Sequence, residues 1–296
     1  MMTDRPLFTE LEQPFTCAAI YEPTVDAATS IMKESEFAGA DSFILNLMGD
    51  GTQGLREEFL TEDHLERLFQ STSKPTMACY YRWHFGGESV DVTDEERQEI
   101  LRRAVRAGAK CVDLVGDTFD PTLGPDVFTE EAKRYSLESE RPPREVTDDP
   151  DAVARQEAEI ERIHELGAEV QMSAHTRIHL DPEQALAVAE TFQDRGADIV
   201  KLVSVDRSWE DMLETLEATV LLDRELDVPF IMMSHGEHGV LARYIAPFLG
   251  SMLCFTQQEY VPGGFYSQPL TENVNRVFDA VQNVTPTRDP EEVDWL

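Results

Sequence analysis

Short apolar runs recur along the chain and alternate with stretches in which apolar residues return every three or four positions. The runs at 15–20, 41–47, 75–80, 110–115, 169–173, 199–203, 230–234 and 252–255 are rich in Val, Ile, Phe, Met and Cys. A strand covered on both faces reads as a continuous apolar run, whereas a strand with one wet face alternates. The pattern therefore predicts eight buried parallel strands. Between them it predicts amphipathic helices, most clearly over 26–37, 94–107, 152–166, 182–195 and 209–222. Thr93 ahead of Asp94, Glu95 and Glu96, and Asp181 ahead of Pro182, are helix-start signals. Gly39, Gly108, Gly167 and Gly196 each stand between a helical stretch and the next strand, where a left-handed glycine ends the helix.

Eight strands alternating with helices favour a closed barrel over an open sheet. No G-x-G-x-x-G follows the first run, which removes the main cue for a dinucleotide-binding sheet. The expected architecture is a single-domain (β/α)8 TIM barrel over 1–296. One segment breaks the rhythm: 116–150 carries Pro121, Pro125, Pro142, Pro143 and Pro150 among many acids. It reads as a long acidic loop or partial helix at the C-terminal mouth of the fourth strand, where lids form, although a salt-adapted surface insertion would read the same way.

Composition narrows the function classes. The net charge is −33, from 58 acidic against 25 basic residues in 296, with carboxylates on nearly every predicted helix. Binding nucleic acid through its phosphates needs a basic surface, so nucleic acid is excluded as a partner. An acidic surface spread this widely suits a halophilic cytoplasm, because at molar salt the Debye length is only ~3 Å and self-repulsion is screened. Cys17, Cys79, Cys111 and Cys254 lie far apart in apolar runs, as reduced core thiols do. The first residues lack the basic-then-apolar pattern of a signal peptide, and no run approaches the ~18 apolar residues that span a membrane. The expectation is a soluble cytoplasmic protein with no membrane partner. Barrels of this kind often pair through their outer helices, which makes a homodimer a candidate assembly.

Against that acidic background lysines are scarce: Lys33, Lys74, Lys110, Lys133 and Lys201 are the five. Lys201 sits inside the sixth apolar run, with Ile199 and Val203 on its face. An inward lysine in a barrel is held dry, and desolvation supplies the neutral amine that attacks a ketone. His175 falls just beyond the fifth run, at the neighbouring mouth, where an imidazole shuttles protons near neutral pH. After the seventh run, His235 occupies a loop and Arg243 the following helix, where a guanidinium grips a carboxylate bidentately. The loop around Gln268 is placed to close over a ligand. His235 and His238 stand three apart, but no carboxylate spacing completes a ligand set, so no metal is expected.

These segments together resemble the type I 3-dehydroquinate dehydratase family, most strongly over 171–278. SAHTRIHLDP resembles the family's S-x-H-x-F-x-x-T-P, which places the catalytic histidine at His175. GADIVKLV resembles G-A-D-x-x-K and implies a Schiff-base lysine at Lys201. MMSHGEHGVLAR is similar to M-S-M-x-x-x-G-x-x-S-R, implying a carboxylate-binding arginine at Arg243. FLGSMLCF follows as the family's F-G-S-x-x-T-F does, and GFYSQ stands where S-A-P-G-Q stands, matching Gln268 but placing Gly264 at the serine. ACYYRWHFGGE resembles T-x-R-x-x-x-x-G-G and matches Arg82. The sequence also departs from the pattern. The family's strand-two E-x-R falls on Ile44 and Asn46, its strand-four glutamate on Val115, and its strand-seven methionine on His235. Either His235 or an acid from 116–150 replaces the missing support, or the substrate has changed.

The resemblance implies a lyase that converts 3-dehydroquinate to 3-dehydroshikimate in the shikimate pathway of aromatic amino acid biosynthesis. Lys201 would form the imine and His175 would move protons. Arg243, Arg82, Gln268 and His235 would bind the substrate, a small polar keto acid, without a dissociable cofactor. A Schiff-base lyase or aldolase acting on another polar ketone, and a catalytically silent barrel, are the alternatives.

Overall fold

A computed structural model describes residues 5–48, 53–82, 91–123, 129–139, 141–260 and 266–282. Its strands are β1 (Phe15–Ile20), β2 (Ser42–Asn46), β3 (Thr76–Cys79), β4 (Cys111–Val115), β5 (Glu169–His175), β6 (Ile199–Val205), β7 (Phe230–His235) and β8 (Leu253–Thr256). They form one eight-stranded sheet in the order β7-β6-β5-β4-β3-β2-β1-β8, and every ladder is parallel. The Met252 N–H donates to the Phe230 carbonyl at 2.8 Å and draws the two ends of the sheet together. The result is a nearly closed (β/α)8 TIM barrel. Its helices are α1 (Val25–Phe37), α2 (Glu62–Phe69), α3 (Asp94–Ala107), α4 (Glu130–Glu138), α5 (Pro150–Glu165), α6 (Pro182–Asp194), α7 (Trp209–Glu225), α8 (Gly239–Ile245) and α9 (Thr271–Gln282).

The continuous apolar runs feed two cores. On β1, Cys17 and Ala19 turn into the barrel while Ala18 and Ile20 pack under the helices. The period of two along every strand separates the layers in this way. Thr93 and Asp181 cap α3 and α6 with reciprocal side-chain bonds. The four inter-element glycines all adopt positive φ, and Gly108 at φ 118° ends α3. At the N-terminal mouth Phe8 is buried against Phe15, and Glu169 accepts the backbone N–H of Phe8. That contact closes the barrel floor. All four cysteines are buried and unpaired.

Two features bear on the site, and the first differs from the sequence reading. Strands β5 and β7 run on to His175 and His235 as their last residues, so neither histidine hangs from a loop. The ladders His175↔Val203 and Val205↔His235 supply the extra pairing. The 116–150 segment contains the partial helix that the sequence allowed, α4, started by the Thr129 side chain. Its two ends are tied to the scaffold. The Thr147 N–H donates to the Gly116 carbonyl at 3.0 Å. The Gln156 amide donates to the Gly116 and Thr118 carbonyls at 3.1 and 2.8 Å. Arg195 reaches the Thr147 carbonyl and the Gln156 side chain.

The chain crosses itself at Gly116. A Cβ there would stand 2.3 Å from the Phe192 ring and 2.7 Å from the Glu145 carbonyl oxygen. Gly116→Ala is therefore expected to lower stability by about 1–3 kcal/mol, the usual cost of overpacking. Urea unfolding measures it, and an unchanged midpoint would mean that 143–147 is not seated there.

Candidate active site

At the C-terminal ends of the strands lies a cavity of about 520 Å³, within the range of small-molecule sites. Parallel pairing stacks its inward residues in layers. Cys79, Asp113 and Gln171 stand opposite one another on β3, β4 and β5. One layer higher, Val115, Ser173 and Lys201 are aligned on β4, β5 and β6.

Lys201 is 4% exposed, yet its nitrogen is not alone. Nζ lies 3.1 Å from Asp113 Oδ2 and donates to Tyr81 Oη at 3.0 Å. It also faces the Tyr81 and Phe255 rings, at 5.4 and 5.2 Å from their centroids. Beside the burial that the sequence reading expected, the structure gives this nitrogen a buried carboxylate partner. A charge out of water needs a counter-charge and a full set of hydrogen bonds. Asp113 has both, since Tyr81 Oη donates to it at 2.9 Å, Gln171 Nε2 at 2.8 Å, and Ser173 Oγ as well. Burial on its own raises the Asp113 carboxyl, but the Lys201 charge and the Ser173 hydroxyl outweigh it and hold the group below its usual value.

His175 ends β5 on the cavity wall, its ring edge-on to Tyr81 with centroids 5.2 Å apart. Its Nδ1 lies 2.8 Å from Glu145 Oε2, and the same carboxylate accepts the His175 backbone N–H. A carboxylate can only accept, so Nδ1 carries the hydrogen and Nε2 is the basic nitrogen. Glu145 is fully buried and adopts φ 66°, a left-handed conformation that non-glycine residues seldom hold. Burial pushes the imidazole well below its usual value, and the nearby Lys201 charge pushes the same way.

Opposite, Arg243 projects from α8 and is 3% exposed. Nε donates to the Ser234 carbonyl at 2.8 Å and Nη2 lies 3.1 Å from His235 Nδ1. Nη1 is buried with no hydrogen-bond partner among the described residues. Burial lowers this guanidinium to about 10. Burial and the charge of Arg243 also hold His235 well below its usual value, so its ring accepts. Gln268 lines the same wall, donating to the Thr256 carbonyl at 2.7 Å. Thus Lys201, His175, Arg243, His235 and Gln268 share one cavity.

Arg82 does not line that cavity among the described residues. Its guanidinium is held by Asp94, by Asp117 at 3.3 Å and by the Leu123 carbonyl. Asp117 is buried, which raises it to about 6. Two carboxylates thus hold Arg82 in a charged cluster. The residues that follow it, 83–90, and Gly264 lie outside the described residues. Ile44 and Asn46 do face the cavity, and Val115 is part of the barrel core. Among the described residues no group of three or more His, Cys, Asp or Glu is arranged to hold a metal.

Sequence reasoning passed over Asp113, Tyr81, Glu145 and Arg177, although Arg177 too lines the cavity, at φ 64°. Asp113 left a usable signal: a single acid in the apolar run Cys111–Val115 demands a partner as much as Lys201 does. Glu145 was signalled only as one unspecified acid of 116–150, because which acid reaches His175 depends on a strained turn.

Residues 149–280 match the family described as type I 3-dehydroquinase. The match takes in Lys201, His175, Arg243 and Gln268 but not Tyr81, Asp113 or Glu145. The chain is 24% identical to the 3-dehydroquinate dehydratase of Geobacillus thermodenitrificans, over 88% of this chain and 89% of that protein. It is 35% identical to the enzyme of the same name from Clostridium kluyveri, over 44% of this chain and 49% of that one. The solved type I 3-dehydroquinate dehydratase of Clostridium difficile, described with covalently modified comenic acid, superposes with a TM-score of 0.71. That superposition covers 96% of this chain and all of the other at 17% identity, so it speaks for the fold alone.

The depressed imidazole has a measurable consequence. An unfolded histidine titrates near ~6.5. Below that pH the unfolded chain binds the proton that folded His175 refuses, so this site's contribution to stability falls as the solution is acidified. The His175 ring resonances, assigned with His175→Gln, are expected to titrate below ~6.5. A midpoint above that value contradicts the buried neutral ring.

Proposed function

We propose that the chain is a member of the type I 3-dehydroquinate dehydratase family, an imine-forming lyase that dehydrates 3-dehydroquinate to 3-dehydroshikimate. One observation carries this reading: a buried lysine amine and a neutral histidine, its second nitrogen anchored by a carboxylate, face the same cavity. The family match and the relatives support a dehydroquinate dehydratase-like activity.

Lys201 Nζ attacks the substrate ketone and, with loss of water, becomes a protonated imine. The C–H beside that imine turns acidic because the iminium accepts its electrons. Nε2 of His175 removes this proton and then returns it to the departing hydroxyl, while Glu145 steadies the imidazolium formed in between. The open Nη1 edge of Arg243 takes the substrate carboxylate, satisfying a buried donor that otherwise lacks a partner. Gln268 and His235 lie beside it to orient hydroxyls. The −33 charge fits activity in molar salt, and no helix of the described residues is long and apolar enough to cross a membrane.

A second reading keeps the imine and changes the polar keto acid. It is favoured by the wall itself, where Ile44 and Asn46 replace the family's charged pair and Arg177 adds a cation near the family's phenylalanine position.

Borohydride reduction in molar KCl tests both readings. With 3-dehydroquinate we expect an adduct mapped by mass to Lys201, absent from Lys201→Ala. His175→Ala should keep the adduct but lose roughly 10²–10⁴-fold in turnover, the usual worth of one acid–base group. An adduct only with other ketones selects the second reading. No adduct with any ketone removes the imine.

A further inference from the structure

We propose that Tyr81 and Asp113 form a second acid–base pair that makes and breaks the imine at Lys201, separate from the His175–Glu145 pair that runs the elimination. The proposal rests on the imine-forming reading above. Its basis is contact with the reacting atom: Nζ lies 3.0 Å from the Tyr81 hydroxyl and 3.1 Å from Asp113 Oδ2. The hydroxyl and the carboxylate are themselves joined at 2.9 Å, closing a three-membered ring of hydrogen bonds. Tyr81 is 5% exposed and lines the cavity, so its hydroxyl borders the space that a ketone bound to Lys201 must occupy. Burial, then the Asp113 charge, hold the phenol well above its usual value, so it remains a proton donor.

An ammonium has no lone pair, and this one starts out ion-paired. The reaction therefore begins with one proton passing from Nζ to Asp113. The freed lone pair attacks the carbonyl carbon, and the carbonyl π electrons move to oxygen. That oxygen takes the Tyr81 proton while Tyr81 recovers one from Asp113. The nitrogen, now carrying a positive charge, gives its surplus proton to Asp113. Asp113 returns that proton through Tyr81 to the carbinolamine hydroxyl, which leaves as water as the nitrogen lone pair forms C=N. The sum is ketone plus ammonium giving protonated imine plus water, with Tyr81 and Asp113 unchanged. The iminium then sits where the ammonium sat, paired with the same carboxylate. Hydrolysis of the product imine runs the sequence backwards.

The test separates this half-reaction from the elimination. In a His175→Ala background the imine forms but does not go forward, and rapid-quench borohydride trapping times its appearance on Lys201. Adding Tyr81→Phe keeps the ring and removes the hydroxyl. The trapping rate is expected to fall by roughly 10²-fold, the lower end for a lost acid–base group. With His175 intact, Tyr81→Phe should also abolish any deuterium isotope effect on kcat from the C–H that His175 breaks, because imine formation becomes the slow step. Fluorinated tyrosine at position 81 makes the phenol more acidic without changing its place. Its trapping rate should shift with that acidity, whereas a residue that only positions Lys201 would give the wild-type rate. Trapping at the unmodified rate in Tyr81→Phe overturns the proposal and leaves the imine standing. Absence of trapping in the unmodified chain overturns the imine reading instead.

Discussion

The buried pair between Lys201 and Asp113 is the constraint around which the barrel interior is arranged. Two charges taken out of water are stable only when their attraction is backed by hydrogen bonds to every remaining lone pair and proton. The barrel supplies most of those bonds by register. Asp113 and Gln171 are opposed on β4 and β5, and Ser173 and Lys201 on β5 and β6. Gln171, Ser173 and Lys201 therefore converge on one carboxylate from neighbouring strands, and Tyr81 joins them from the segment after β3. Removing one partner would leave the other charge buried and uncompensated, a loss of about 3–5 kcal/mol in comparable pairs. The same dryness strengthens every field in the cavity, which is why a single lysine charge is felt by His175 and His235 alike.

His175 is supported by a different strategy. Its partner comes from a loop segment held in a left-handed turn at Glu145, and that turn is stable only because its flanks are fastened. Arg195 and Gln156 secure the chain on one side, and Gly116 lets the Glu145 carbonyl and the Phe192 ring come close on the other. The strain is thus offset by contacts that belong to α5 and α6, not to the cavity. One carboxylate is built into the sheet and one is delivered by a loop, so the two can change independently.

The fold was legible because burial on both faces leaves an unbroken apolar run, and such runs mark β1 and the other strands even where the ends shift by a residue or two. The inward lysine was legible for the complementary reason, since one cation in a buried strand needs an explanation. Asp113 obeys the same rule and was readable in principle. The lengths of β5 and β7 were not, because His175 and His235 belong to strands only through pairing with β6. Arg82 shows what a linear pattern leaves out. A linear pattern assigns it to a ligand, but in three dimensions Asp94 and Asp117 reach it.

The carboxylates that the resemblance leads one to expect look different in this light. The pattern puts a glutamate at Val115, and the structure fills that place with a core side chain. Two residues earlier on the same inward face, Asp113 supplies a carboxylate against Lys201; thirty residues later, Glu145 supplies one against His175. What an acid–base site needs is a charge at a given distance from a given nitrogen, and the strand or loop that brings it is of secondary importance. Loss of an acid at one sequence position is therefore weak evidence of lost chemistry while the space around the nitrogen still holds one. Ile44 has no such substitute among the cavity-lining residues of β2, where Asn46 offers only a neutral amide. The wall at Ile44 and Asn46 is consequently the part of the cavity that lacks a carboxylate, while the two nitrogens keep theirs.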